Sequence, residues 1–146
     1  MKLLIAGSRS YANQLITVCS LLDELLLELR LKYLSSQGFG SVSEVISGCA
    51  SGVDHAAIVW ADNHNIPCTK MPAKWSVDGK TDYMAGFKRN EEMAKLCDYA
   101  IIIWDKKSRG TADMMRRLDT HDKEYLLWDK LPVVKRKGSG IVAVGC

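Results

Sequence analysis

Glu44-Val45-Ile46-Ser47-Gly48-Cys49-Ala50-Ser51-Gly52-Val53-Asp54 is the stretch that decides the fold. Its first four residues, with the β-branched pair Val45-Ile46 at their centre, read as a short strand that stops at a glycine, as in a parallel sheet. The glycine-rich turn that follows leads straight into a helix running to Asn63, with Ser51 as the expected N-cap. Asp54 then falls three residues on, where a carboxylate suits the positive end of a helix. Ala56, Ala57, Val59 and Trp60 supply the inner face of that helix. A strand, a glycine loop and a helix in immediate succession form half of a β-α-β unit, so its neighbours decide the architecture.

The same grammar recurs outward in both directions. Lys2-Leu3-Leu4-Ile5-Ala6 is an apolar run that also ends at a glycine, Gly7. Beyond it Leu15, Val18, Leu22, Leu25, Leu26, Leu29 and Tyr33 recur at spacings of three and four, the stripe of a long helix lying on a sheet. Its extra leucines, Leu21 and Leu27, are left to face a partner subunit. Gly38-Phe39-Gly40-Ser41 punctuates the chain before the strand at Glu44. On the other side, Pro67 to Met71 reads as a third strand and Pro72 to Met84 as a polar loop rich in turn formers, carrying Trp75, Asp78, Gly79 and Asp82. A short helix from Lys88 to Cys97, the apolar strand Tyr99 to Trp104 and a helix from Thr111 to Thr120 follow, and Leu131 to Lys135 is expected to close the sheet. Strands alternating with helices in this way predict an α/β three-layer sandwich: a mainly parallel sheet of about five strands with helices on both faces.

The chain's 146 residues suit one domain of about 100–150 residues. The stretch 136–146 reads either as a terminal hairpin or as a loose tail. Hydrophobic residues make up 47% and charged ones 25%, which excludes a disordered or low-complexity chain. The net charge of +3 is too small for a general nucleic-acid binder, so any anion site must be local. The five cysteines (19, 49, 68, 97 and 146) form no C-x-x-C pair, and His55, His64 and His121 are scattered. Neither a disulfide framework nor a metal centre is therefore expected, and a reducing cytoplasm fits best. The apolar run at Met1 to Ala6 is too short for the core of an export signal. The leucine-rich stretch from Gln14 to Leu34 contains Asp23, Glu24, Glu28, Arg30 and Lys32, which argues against a membrane span.

Four segments fall at the carboxyl ends of the expected strands: Gly7-Ser8-Arg9, Ser47 to Gly52, Arg89-Asn90 with the loop before it, and Ser108-Arg109-Gly110-Thr111. Each abuts a helix start, where unpaired N–H groups and a partial positive charge attract anions. One such glycine would read as a turn requirement; the four together predict a cleft for a nucleotide-sized ligand. Gly7-Ser8-Arg9-Ser10-Tyr11-Ala12 lacks the later glycines of G-x-G-x-x-G, so NAD or FAD in the usual mode is disfavoured, and no cofactor is expected. No G-x-x-x-x-G-K-[ST] loop supports a nucleoside triphosphatase. Arg9, Arg89 and Arg109 offer bidentate donors to phosphate, Trp75 a stacking surface, and Asp54 either a ribose acceptor or a helix cap. Cys49, next to a helix start but with no histidine placed as a base, reads as a small filler rather than a nucleophile.

In order and spacing these segments resemble the SLOG superfamily, named for the Smf/DprA and LOG proteins, and particularly its short YspA-like branch. The carriers are Leu4 to Arg9, Val45 to Asp54, Met71-Pro72-Ala73-Lys74-Trp75, Arg89-Asn90-Glu91-Glu92-Met93 and Asp105 to Met114, so the resemblance covers most of the chain. It implies a Rossmann-like sheet that binds a nucleotide or a nucleotide-derived molecule, in a superfamily of hydrolases and ligand sensors. LOG enzymes resemble phosphoribohydrolases that use R-K-x-x-M and P-G-G-x-G-T-x-x-E. Arg89 and Met93 match the first motif, with Asn90 in the lysine place. Gly110-Thr111 match the G-T of the second, but Lys107-Ser108 replace its paired glycines and Met114 its final glutamate. A thioether can neither activate water nor stabilise an oxocarbenium-like centre. Asp113, one position away, is turned by about 100° on a helix.

The first expectation is thus a cytoplasmic module that senses or sequesters a nucleoside monophosphate or an ADP-ribose-like ligand. Its binding residues are Gly7, Ser8, Arg9, Ser47, Gly48, Gly52, Asp54, Trp75, Arg89, Asn90, Ser108, Arg109, Gly110 and Thr111. The second is an N-glycosidic hydrolase drawing on Asp54, Glu91 or Asp113. The third, following DprA, is a single-stranded nucleic-acid binder using Lys106, Lys107, Arg109, Arg116 and Arg117, which the modest net charge disfavours. A homodimer or higher homo-oligomer formed through the first helix is expected as well.

Overall fold

In the computed structural model, which describes residues 1–32, 41–137 and 140–144, the first apolar run becomes β1 (Lys2–Gly7) and the main sheet grows from it in both directions. After a short 3-10 turn (Arg9–Tyr11) come α1 (Leu15–Lys32), β2 (Glu44–Ser47), α2 (Val53–Asn63) and β3 (Cys68–Lys70). The hairpin of β4 (Ser76–Val77) and β5 (Lys80–Thr81) intervenes. The chain then continues through α3 (Ala85–Leu96), β6 (Tyr99–Ile103), α4 (Arg109–Thr120) and β7 (Tyr125–Trp128). It finishes in a second hairpin of β8 (Val133–Lys137) and β9 (Gly140–Val144). The five-stranded sheet has the order β3-β2-β1-β6-β7, and all of its pairings are parallel. Tyr33 and the Gly38-Phe39-Gly40 punctuation lie outside the described residues, as do Gly138, Ser139 and Cys146.

Alternation along β1 explains the three layers. Leu3 and Ile5 point to the face covered by α1 and α2, where they meet Leu22, Leu25, Ala57 and Trp60. Leu4 and Ala6 point to the other face, against Met93 of α3 and Met114 and Leu118 of α4. Both faces are covered, so the central strands must be apolar throughout; all five residues of β6 are buried. This is the Rossmann-like α/β sandwich that the alternation of elements predicted.

Several local expectations are corrected. The edge of the sheet is β7, not Leu131 to Lys135, which leaves the sheet and enters the terminal hairpin. That segment is held to the start of α1 instead. The Tyr11 hydroxyl donates to the Leu131 carbonyl (2.8 Å), while the Gln14 amide donates to the Pro132 carbonyl (2.8 Å) and accepts from the Val134 amide (2.9 Å). Leu21 is buried in the core, so of the two leucines offered to a partner only Leu27 is exposed. The polar loop from Pro72 to Met84 contains the β4–β5 hairpin, which turns at Asp78-Gly79, both at positive φ. Ser51 is not the cap of α2; Gly52 is, with no side-chain bond. Among the described residues no helix is long and apolar enough to cross a membrane.

Candidate functional site

The order of the sheet creates a crevice of its own. From β1 the chain builds one way to β2 and β3, and β6 with β7 occupies the other side, so the loops after β1 and β6 diverge at the carboxyl edge. Open α/β sheets take ligands at such a switch point. A cavity of about 70 Å³ lies there. Gly7 and Arg9 line it from the β1 loop, Ala50 and Asp54 from the start of α2, Arg89 and Asn90 from α3, and Ser108, Gly110 and Thr111 from the start of α4. Ala6, Met93 and Met114 form the apolar remainder. A second cavity of about 160 Å³ adjoins it, sharing Arg9, Arg89, Asn90 and Gly110 and adding Trp75, Tyr83, Gly86 and Phe87.

The glycines of the site do different work. A Cβ on Gly7 would stand 2.1 Å from the Ile103 carbonyl and 2.7 Å from Val53, so this glycine lets β1, β6 and α2 meet. Gly52 has φ of +83° and sits 2.3 Å, at its virtual Cβ, from the Ser8 carbonyl. Gly48 leaves room for Arg89 and Asp54, whose Nη1 and Oδ2 lie 2.7 and 2.9 Å from its virtual Cβ. Gly110 has ordinary helical φ, and a Cβ on it would meet nothing within 4 Å. The fold's own packing explains the first three; Gly110 alone borders open space in both cavities.

Ser8 and Ser47, two of the expected binding residues, are buried and spent on the scaffold. The Ser8 Oγ accepts from the Asp105 amide (3.0 Å). The Ser47 Oγ donates to the Asp54 carbonyl (2.8 Å) and accepts from the Cys49 amide (3.2 Å). Asp105 shapes the opposite wall: one oxygen accepts from the Lys107 and Ser108 amides (2.8 Å each) and the other from the Ser10 hydroxyl (2.8 Å). Burial alone would raise its pKa, but these donors outweigh it and hold the carboxyl below its ordinary value. Ser108 then caps α4, its Oγ accepting from the Thr111 amide (3.4 Å) and hydroxyl (3.0 Å). The Arg109 and Gly110 amides, two of the N–H groups that a helix start leaves open, have no acceptor among the described residues. The Arg109 side chain is exposed and lines neither cavity, contrary to expectation.

Asp54 and the two remaining arginines supply the charge. Asp54 is buried, and burial pushes its carboxyl up from 3.8 to about 6. Arg89 chiefly, then the Ala50 and Gly7 amides and Arg9, keep it from rising further. Arg89 is half-buried: its Nη1 donates to the Gly48 carbonyl and its Nε to Asn90 Oδ1 (3.2 Å), leaving Nη2 with no bond among the described residues. Burial lowers the Arg89 pKa, with Asp54 opposing it. Asn90 is a strut, its Nδ2 donating to the Gly110 carbonyl (3.2 Å) and to Asp113 Oδ2 (3.1 Å). Asp113 is fully engaged with Arg116 and Arg117, and Glu91 with Arg117 and His121. Neither carboxylate lines the cavities, and the Arg116 and Arg117 cations are paired rather than free. Cys49 adopts a positive φ of 65°, directs its Sγ at the Ser47 carbonyl (3.7 Å) and lines neither cavity.

A larger cavity, about 630 Å³, opens at the opposite edge of the sheet between the end of α1 and the starts of β6 and β7. It has no glycine loop and no helix start, and its charged lining is mostly acidic (Glu28, Asp119, Glu124, with Lys123), so it lacks the means to hold an anion. The cavity residues that the sequence did not single out are Tyr83, Gly86 and Phe87; the spacing of the two aromatics beside a motif arginine was the available signal. Among the described residues no group of three or more His, Cys, Asp or Glu could hold a metal ion. Compared with family models, with curated proteins and with solved structures, the chain has no match.

Proposed function

We propose that this chain is a SLOG-type module that binds a nucleotide or nucleotide-derived ligand, such as a nucleoside monophosphate or an ADP-ribose-like molecule, at the crevice between the β1 and β6 loops. The observation that carries the reading is Gly110. It stands at the start of α4 beside open amides, faces empty space, and is required by neither packing nor backbone conformation. A missing side chain that the fold does not require, at a residue lining one cavity with Arg9 and Arg89, suits clearance for a phosphate. The test is isothermal titration or equilibrium dialysis with adenosine monophosphate and ADP-ribose against the native protein and Gly110→Glu. A carboxylate in the open space should abolish binding without unfolding the chain. Equal affinity in both proteins would remove the reading.

A second reading, N-glycosidic hydrolysis, is favoured by one observation: among the described residues Asp54 is the only carboxylate lining the inner cavity, and its pKa of about 6 suits proton transfer near neutrality. Asp54 would take a proton from water as the hydroxide attacks the anomeric carbon and the base departs with the bond electrons. Release of free base, lost in Asp54→Asn while binding persists, is its signature. A reducing cytoplasmic setting accords with Cys19, Cys49, Cys68 and Cys97 standing as free thiols. Self-association is assigned to α1, where Leu27 and Leu31 are 59% and 64% exposed.

A further inference from the structure

We infer that the outer cavity is a subsite for a planar aromatic base, so that the ligand enters phosphate first and the preferred class is a base-bearing nucleotide rather than a sugar phosphate. This rests on the nucleotide reading above and adds an orientation to it. Size supplies the first argument. The inner cavity, about 70 Å³, has less than half the room of the outer one, and its two arginines and helix starts suit a compact anion. The adjoining space of about 160 Å³ is the larger of the two and opens from the same Arg9, Arg89 and Gly110.

Surface chemistry supplies the second argument. Trp75 and Tyr83 sit at the two ends of the β4–β5 hairpin, remain 46% and 83% exposed and line one cavity, a clustered apolar patch rather than scattered surface residues. Phe87 joins them from α3. Trp75 is positioned rather than loose. The Asp82 amide donates to its carbonyl (2.6 Å), and the absent side chain of Gly86 lets the indole lie against α3, with Cη2 3.2 Å from the virtual Cβ. Asp82 in turn anchors the hairpin to α3, accepting from the Met84 amide (2.9 Å) and from Lys88 Nζ (2.7 Å). An indole that lines the cavity next to the anion pocket, with the Nη2 of Arg89 close to it around Gly86, supplies a stacking partner that any base can use.

The experiment is calorimetric titration of the full chain with adenosine monophosphate and with ribose 5-phosphate, on the native protein, Trp75→Ala and Trp75→Phe. The native protein should bind the nucleotide at least tenfold more tightly than the sugar phosphate. Trp75→Ala should erase that advantage while leaving ribose 5-phosphate affinity unchanged, and Trp75→Phe should keep most of it. If both ligands bind the native protein equally, or if Trp75→Ala weakens both alike, the base subsite is wrong and the nucleotide cleft survives. If neither ligand binds, both fall.

Discussion

The Asp54 carboxyl and the Arg89 guanidinium face one another across the side chain that Gly48 lacks: a Cβ there would lie 2.9 Å from Asp54 Oδ2 and 2.7 Å from Arg89 Nη1. An acid and a base are thus brought together by a third residue's absence. Gly48→Ala should push Arg89 out of its bond to the Gly48 carbonyl. The expected cost is about 1–3 kcal/mol of stability, read by chemical denaturation, with at least a tenfold loss of nucleotide affinity.

Asp54 makes the site a burden on the fold. Its folded pKa of about 6 lies above its ordinary 3.8, so the stability linked to it is present below about pH 4 and is lost as pH rises through 6. Asp54→Asn keeps an acceptor for the Ala50 amide and removes the buried charge. It should therefore be more stable than the native protein at pH 7–8, by up to about 3 kcal/mol. The difference should vanish below pH 4. A variant less stable than the native protein at pH 8 would contradict the linkage.

Gly110 separates stability from binding in another way. Glycine in a helix is worth about 0.5–1 kcal/mol less than alanine, and here a methyl meets empty space. Gly110→Ala should raise the melting temperature slightly while lowering affinity for adenosine monophosphate.

Asp113 acts through Asn90. Burial opposes its ionisation, but Arg117, Asn90 and Arg116 together hold its carboxyl below the ordinary range. The stability it adds is present above about pH 4 and is lost as pH falls below it. Asp113→Ala should cost about 1–3 kcal/mol at pH 7, freeing one end of Asn90. Ligand affinity should fall as well, whereas His121→Ala, remote from both cavities, should leave it unchanged.

Leu27 and Leu31 predict the assembly state. The native chain should sediment as a dimer and Leu27→Glu as a folded monomer whose melting temperature no longer depends on protein concentration; a native monomer at micromolar concentration would exclude the α1 interface.

The central strands were legible because β1, β2 and β6 are buried on both faces, which forces contiguous apolar runs. β7 was not. As an edge strand it is only partly covered, and Tyr125 to Trp128 competes with the β-branched Val133-Val134, whose pairing is with β9 instead. Residue type marked the loops that line the two cavities but not the direction of each side chain. Ser8 and Ser47 turned inward to satisfy backbone groups, and the Arg109 side chain is exposed and lines neither cavity, whereas Gly110 beside it lines both. The Asp78-Gly79 turn was visible, yet only the folded hairpin brings Trp75 and Tyr83 to one cavity.

Asp105 reaches both walls of the crevice, taking Ser10 from the β1 loop with one oxygen and the amides that open α4 with the other. One side chain thus braces the two loops against each other. The Trp75 hairpin is braced in a similar way, since Asp82 meets the start of α3 twice: its carboxylate accepts from the Met84 amide and Lys88 Nζ, and its carbonyl from the Ala85 amide, so that an aspartate pins each side of the crevice.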